Sequence, residues 1–227
     1  EETVTVKYYD DDQNDPQDLS SYDKKITGEA GSDLGYSTKP SIDKLQNKGY
    51  KLVSDTFYAA KLDGKMPAKG GNYEVHFVHT TIQATPDKPG DPDKPVDPDN
   101  QDGPKWPKGS YKDDLTKDST QTITYHYSDS SQPDSTKTET SNDTFTKTVT
   151  VDKVTGKIVS DTPWTGSHTF DSSNVPVVNG YHSDKKTVGG KTATVNNPDV
   201  TDTVTYTPNG KIIPVDPSGK PIPNVPT

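Results

Sequence analysis

"VTVKYYDDDQ", Val4–Gln13, returns in altered form as "ITYHYSDSSQ", Ile123–Gln132. At an offset of 119 residues Val4 falls on Ile123, Val6 on Tyr125, Tyr8 on Tyr127, Asp10 on Asp129 and Gln13 on Gln132. Apolar residues alternate in both stretches, the period of a strand with one buried face. The echo continues downstream. Gly49-Tyr50 in "NKGYKLVSD" returns as Gly180-Tyr181 in "VNGYHSDKK", and 23 residues beyond each tyrosine another alternating strand begins, "YEVHFVH" at Tyr73 and "VTYT" at Val204. The Gly-Tyr offset is 131, so the second copy carries about twelve extra residues in its first half. A period above 100 residues marks a duplicated domain, not a short-repeat solenoid.

Composition taken alone points elsewhere. Leu, Ile, Val and Phe number 37 of 227 residues and the net charge is −9, values that lean toward disordered chains. The scarce apolar residues are nevertheless grouped into periodic segments rich in Thr, Tyr and Val, which suit a pleated surface. Small, thin-cored β domains joined by polar connectors are expected. All 25 basic residues are lysine, so the planar fork that reads guanine edges and clamps phosphates is absent. With the acidic balance, nucleic acid and acidic membrane surfaces are excluded as expected partners. There is no cysteine, hence neither a disulfide framework nor a thiolate metal site. No run approaches the roughly 18 apolar residues of a membrane helix, and "EETVTV" has no signal region.

Four segments are expected: a first module at 1–84, a Pro/Asp-rich linker at 85–107, a larger second module at 108–212, and a Pro-rich connector at 213–227. The prolines of "TPDKPGDPDKPVDPDNQDGPKWP" predict an extended, semi-rigid spacer. In the first module strands are expected at "VTVKYYD", around "SYDKKITGEAG", at "YKLVSDTF" and at "YEVHFVHT". "KPSIDKLQNKG" reads as a helix, with Pro40 in its first turn, Ile42 and Leu45 on one face and Gly49 as the left-handed cap. Strand, strand, helix, strand, strand with one apolar helix face describes a sheet wrapped on a helix, the β-grasp arrangement. The second module adds a hairpin, "FTKTVTVDKVTGKIVSD", turning at Thr155-Gly156, and its helix is reduced to a turn near "FDSSNVPVV", where Pro176 limits extension.

Catalysis finds little support. No serine or cysteine motif accompanies His76, His79, His126, His168 or His182. His76 and His79 are three apart in a strand and point to opposite faces, so they cannot share a metal; both are read as exposed. Asp10, Asp12 and Asn14 stand at the spacing that opens a calcium loop, but Asp15 occupies the glycine position and Ser21 the bidentate Glu position. A solvated turn is expected there, with no cofactor and no metal site; a looser calcium site is the alternative. Trp106 and Trp164 could each stack on a sugar; the structural readings put Trp164 in a core and Trp106 where the linker meets the second module. Tyr9 faces outward if Tyr8 faces inward, and is a candidate contact. Spacing identifies no Lys–Asn cross-link.

"FTKTVTVDKVTGKIVSD" with the following Trp164, then "TFDSSNVPVVNGY" and "VTYTPNGKIIPVDPSGKPIPNVPT", resembles the repeat of the mucus-binding surface adhesins of lactic-acid bacteria. "VTVKYYDD", "LQNKGYKLVSD" and "YEVHFVHT" look like the shorter mucin-binding module that precedes it in each repeat. The resemblance implies an α+β, β-rich fold: two tandem β-grasp (ubiquitin-like) domains in an elongated arrangement. It implies a non-catalytic repeat, monomeric when excised, from a multi-repeat protein that is extracellular and anchored to a Gram-positive cell wall. The implied partners are mucin glycoproteins and, in some members, immunoglobulins; no membrane insertion is implied. No binding motif carries over residue by residue, so the ligand-binding residues are unassigned. The rival reading is a structural spacer in a wall-anchored stalk.

Overall fold

The computed structural model describes residues 1–223, so the last four residues of the expected 213–227 connector lie outside the described residues. The chain divides into two compact units, residues 1–116 with 147–163, and residues 117–146 with the chain from 164 onward. This division cuts across the ranges read from sequence, because the hairpin segment 147–163 folds with the first unit.

In the first unit β1 (Glu2–Asp10), β2 (Lys24–Gly28), β3 (Tyr50–Asp55) and β4 (Gly71–His79) form a sheet in the order β2-β1-β4-β3. β1 runs antiparallel to β2 and parallel to β4, the mixed central pair of a β-grasp sheet. Val4, Val6 and Tyr8 alternate inward from β1 and meet Val75 and Phe77 of β4. Helix α1 (Lys39–Gln46) has Pro40 in its first turn and lays Leu45, with half-buried Ile42, on that core. Gly49 ends the turn after it at φ +95°, and a Cβ there would stand 2.8 Å from Lys153 Cβ. Only glycine meets both demands. The strand expected through "YKLVSDTF" stops at Asp55, whose Oδ1 accepts the Tyr58 amide at 2.8 Å and caps α2 (Thr56–Ala59). The cap turns Phe57 into the core.

The proline-rich stretch is not an extended spacer. After β5 (Thr81–Ala84) the chain makes bridges at Thr85–Lys88 and Pro95–Lys105, and Val96 is fully buried. Asp91 and Asp97 accept the amides of Asp93 and Asp99, closing tight turns between the prolines. What composition hid is a second small core: Val96, Ala84, Leu115, Val149 and Val151, with Trp106 packed against it. Leu115 ends the short helix α3 (Lys112–Leu115). β6 (Thr116–Tyr127) and β7 (Ser135–Thr146) then serve the second unit, and the chain returns to the first as β8 (Val149–Asp152) and β9 (Ile158–Asp161), in a sheet of order β5-β8-β9. Gly156, at φ +72°, turns that hairpin at the expected place.

The second unit adds β10 (Ser167–Thr169), β11 (Ser172–Asn174), β12 (Tyr181–Ser183), β13 (Thr187–Gly189), β14 (Thr192–Thr194) and β15 (Asp199–Pro208). Its main sheet has the order β12-β15-β6-β7, with β6 and β15 parallel, so strand for strand it repeats the first sheet. Ile123 and Tyr127 are buried and Tyr125 is half-buried. No helix among the described residues covers this sheet. The stretch expected as a turn near "FDSSNVPVV" holds β11, paired with β13, and Val175 and Val188 pack on Ile123, Val204 and Tyr206. Trp164 packs against a further cluster of Phe145, Phe170, Ala193 and Val200.

Candidate functional site

Two places in the first unit gather polar chemistry. The first lies at the end of β1 and β4. Asp10 shares its face with Val4, Val6 and Tyr8, and His79 shares its face with Val75 and Phe77, so the strand period carries both polar groups inward. His79 is therefore not an exposed strand residue: 1% of its side chain is accessible, and none of Asp10's. Its Nε2 lies 2.7 Å from Asp10 Oδ2 and its Nδ1 lies 2.6 Å from Asp152 Oδ2 at the end of β8. Tyr50 meets the ring edge-on with centroids 5.2 Å apart.

An ionised carboxylate oxygen can only accept, so a ring held between two such oxygens donates from both nitrogens, the arrangement of an imidazolium. Burial works against that charge, but the hydrogen bonds to Asp152 and Asp10 and their negative charges prevail and hold the His79 pKa above its ordinary value. The remaining carboxylate capacity is used by backbone. Asp10 accepts the amides of Asp12 and Gln17, Asp12 those of Asn14 and Asp15, and Asp152 those of Val154 and Thr155. Lys157 reaches Asp15 at 2.6 Å. Burial would raise Asp12, yet the amides of Asp15 and Asn14 and the His79 charge hold its carboxyl below the usual range.

Asp12, His79 and Asp152 bring ligand-type atoms within 4.8 Å of one another. Ligands of a tetrahedral ion at about 2.0–2.2 Å stand about 3.3 Å apart, whereas Nδ1 and the Asp152 oxygen are 2.6 Å apart. That spacing is a hydrogen bond, and an ion would have to spread the pair. Of the calcium-loop positions, Asp10 is committed to His79, Asp12 and Asn14 close turns, and Ser21 sits in a separate 3-10 turn at Ser20–Tyr22. As it stands, the donor set is closed by hydrogen bonds among its own groups.

The second place is a groove of about 450 Å³ lined by Tyr36, Ser37, Thr38, Phe57, Tyr58 and residues 59 and 61–64. Phe57 stands edge-on to Tyr36 at 5.5 Å, and Tyr36 shares a hydrogen bond with Tyr8 at 2.8 Å. Burial first, then the Tyr8 hydrogen bond, pushes the Tyr36 phenol well above its ordinary pKa, so it stays neutral. Thr38 donates to Asp55 Oδ2 at 2.5 Å, tying one wall to the cap of α2. Tyr58 on the rim is 81% exposed.

The other sequence candidates lie apart. Tyr9 stacks on His76 at 5.1 Å, and His76 pairs with Asp11 and Glu74. In the second unit His126 bonds Asp134, His182 bonds Asn209 and His168 stands on Phe170. Trp106 and Trp164 both serve cores, and Lys117 lies over the Trp164 ring at 4.2 Å.

Residues 2–79 match the family model described as a mucin binding domain, and residues 110–210 match the Muc B2-like domain. Among solved structures, the crystal structure of Mub-RV is 29% identical with a TM-score of 0.54, over 92% of this chain and 100% of that one. The type 2 repeat of the mucus binding protein MUB from Lactobacillus reuteri is 23% identical with a TM-score of 0.54 over the same shares, a likeness of fold. No curated protein matches the chain. With a mucin binding domain followed by a Muc B2-like domain, the chain belongs to the repeat family of the mucus-binding proteins.

Proposed function

We propose that the chain is a non-catalytic adhesive repeat of a wall-anchored bacterial surface protein, and that it binds mucin glycoproteins by contacts that are weak singly and gain avidity in tandem. The observation that carries this reading is the mucin binding domain match over residues 2–79. The site chemistry agrees with it. His79 is saturated by carboxylates, so it is a structural clamp without a free nitrogen to act as a base. No helix among the described residues is long and apolar enough to cross a membrane. Surface plasmon resonance over immobilised mucin tests the reading: saturable retention is expected, and no response at high micromolar chain would reduce the repeat to a spacer.

An immunoglobulin domain is the second reading. β7 lies at the edge of its sheet and residues 135–138 are exposed in succession, an edge open to strand addition. Competition between mucin and immunoglobulin for the chain tells whether the two would share a surface.

A further inference from the structure

The groove beside α2 combines three features that a packed surface has no need of. Tyr58 presents an aromatic ring that is 81% exposed at its rim. Lys61 and Asp63 line it with opposite charges, and among the described residues neither side chain has an ion-pair or hydrogen-bond partner. Both hold left-handed backbone, φ +48° and +50°, where a solvent loop would place glycine. The turn that carries them is fixed from behind: Leu34 donates to the Gly64 carbonyl at 2.8 Å, Met66 to that of Ser32 at 2.8 Å, and Lys65 pairs with Asp33 at 2.6 Å. The charged groups are thus displayed on a rigid support.

A pyranose ring has one apolar C–H face and a girdle of hydroxyls that both donate and accept. An exposed tyrosine face with a fixed cation and a fixed carboxylate beside it answers both needs. A wholly apolar ligand would leave the two charges desolvated and unpaired. The smaller groove beside Trp106, about 310 Å³ and walled by Ile82, Pro95, Val96 and Pro98, offers no carboxylate.

We propose that the groove bounded by Tyr36, Phe57, Tyr58 and Leu62 is a saccharide subsite that takes one pyranose ring, stacked on Tyr58 and hydrogen-bonded to Lys61 and Asp63. This deepens the mucin-binding reading and rests on it for the source of the sugar. Neutral and acidic glycan termini share the ring chemistry, and an acidic one would add a carboxylate for Lys61.

Amide NMR of the whole chain, titrated separately with N-acetyllactosamine and with 3′-sialyllactose, tests it, alongside retention on mucin. Saturating shifts at Tyr58, Lys61, Asp63 and Gly64 with either sugar are expected, and the stronger arm identifies the terminus. Tyr58→Ala should weaken the sugar about tenfold with the melting temperature unchanged, since its ring is exposed. Asp63→Asn, which keeps a residue tolerant of the left-handed backbone, should weaken it about threefold. Mucin retained by wild type and Tyr58→Ala alike, with no sugar shifts in the groove, overturns the subsite and leaves the adhesive reading standing. Groove shifts without mucin retention uphold the subsite and remove the adhesive reading. Neither signal overturns both.

Discussion

The two units share a four-stranded frame and differ in what covers it. Asp10 ends β1 two residues past the inward Tyr8, and its counterpart Asp129 stands two residues past Tyr127, the last residue of β6. In the first unit Asp10 is buried against His79, because the β8–β9 hairpin brings Asp152 over the same spot. In the second Asp129 stays exposed and accepts a hydrogen bond from Tyr181 at 2.9 Å. Likewise α1 covers the first sheet with Leu45, while the second is covered by Val175 and Val188 beside the β11–β13 pair. The repeated sequence therefore specifies the sheet, and each unit's insertions decide which of its polar groups are buried.

The largest break in this contrast is His79→Ala, which leaves Asp10 and Asp152 buried without their cation and should cost about 3–5 kcal/mol in urea unfolding. Asp129→Asn, its counterpart on an exposed aspartate, should leave the midpoint unchanged. Next comes the cover. Leu45→Ala is expected to cost about 3 kcal/mol and Val188→Ala about 2 kcal/mol, read from the same denaturation curves. The glycines sharpen the comparison further. Gly49→Ala meets Lys153 as well as a strained φ and should cost about 2 kcal/mol, whereas Gly180, at φ +84° with open space around it, should cost about 1 kcal/mol. The smallest effect is that of pH. His79 has a raised pKa in the fold, so its contribution is complete below the ordinary histidine value and is lost as pH rises through the raised one. His76, raised by Glu74 and Asp11 against the cost of burial, acts in the same direction. Melting temperatures followed from pH 6 upward should fall for wild type, and less steeply for His79→Leu.

Much of the sheet was legible in the alternation of "VTVKYYD" and "ITYHY" and in the paired Gly-Tyr steps, because strand period and turn chemistry are local. The burial of His79 was legible too, since it stands two residues beyond Phe77 on the inward face, but a lone histidine in a polar sequence reads as solvated. Its partner was not legible: Asp152 lies 73 residues away and arrives on a hairpin that local pattern assigns to the other module. The fold of 85–107 was hidden for a related reason. Only Val96 and Trp106 carry its apolar signal, too little for periodicity, and their core is supplied by β5 and β8. The groove is assembled from loop and capping residues at 36–38 and 57–64, which have no repeating pattern to read.

Retention on immobilised mucin, measured side by side for wild type, Tyr58→Ala and Val177→Ala, tests the adhesive account most directly. Tyr58 is the exposed aromatic of the first unit's groove, and Val177 is a 98% exposed apolar residue of the second unit. Saturable binding that drops about tenfold with Tyr58→Ala and is unmoved by Val177→Ala is the expected result. Wild-type chain that passes over mucin without response would contradict it, whereas binding that Val177→Ala abolishes and Tyr58→Ala leaves intact would keep the adhesive account and move the contact to the second unit.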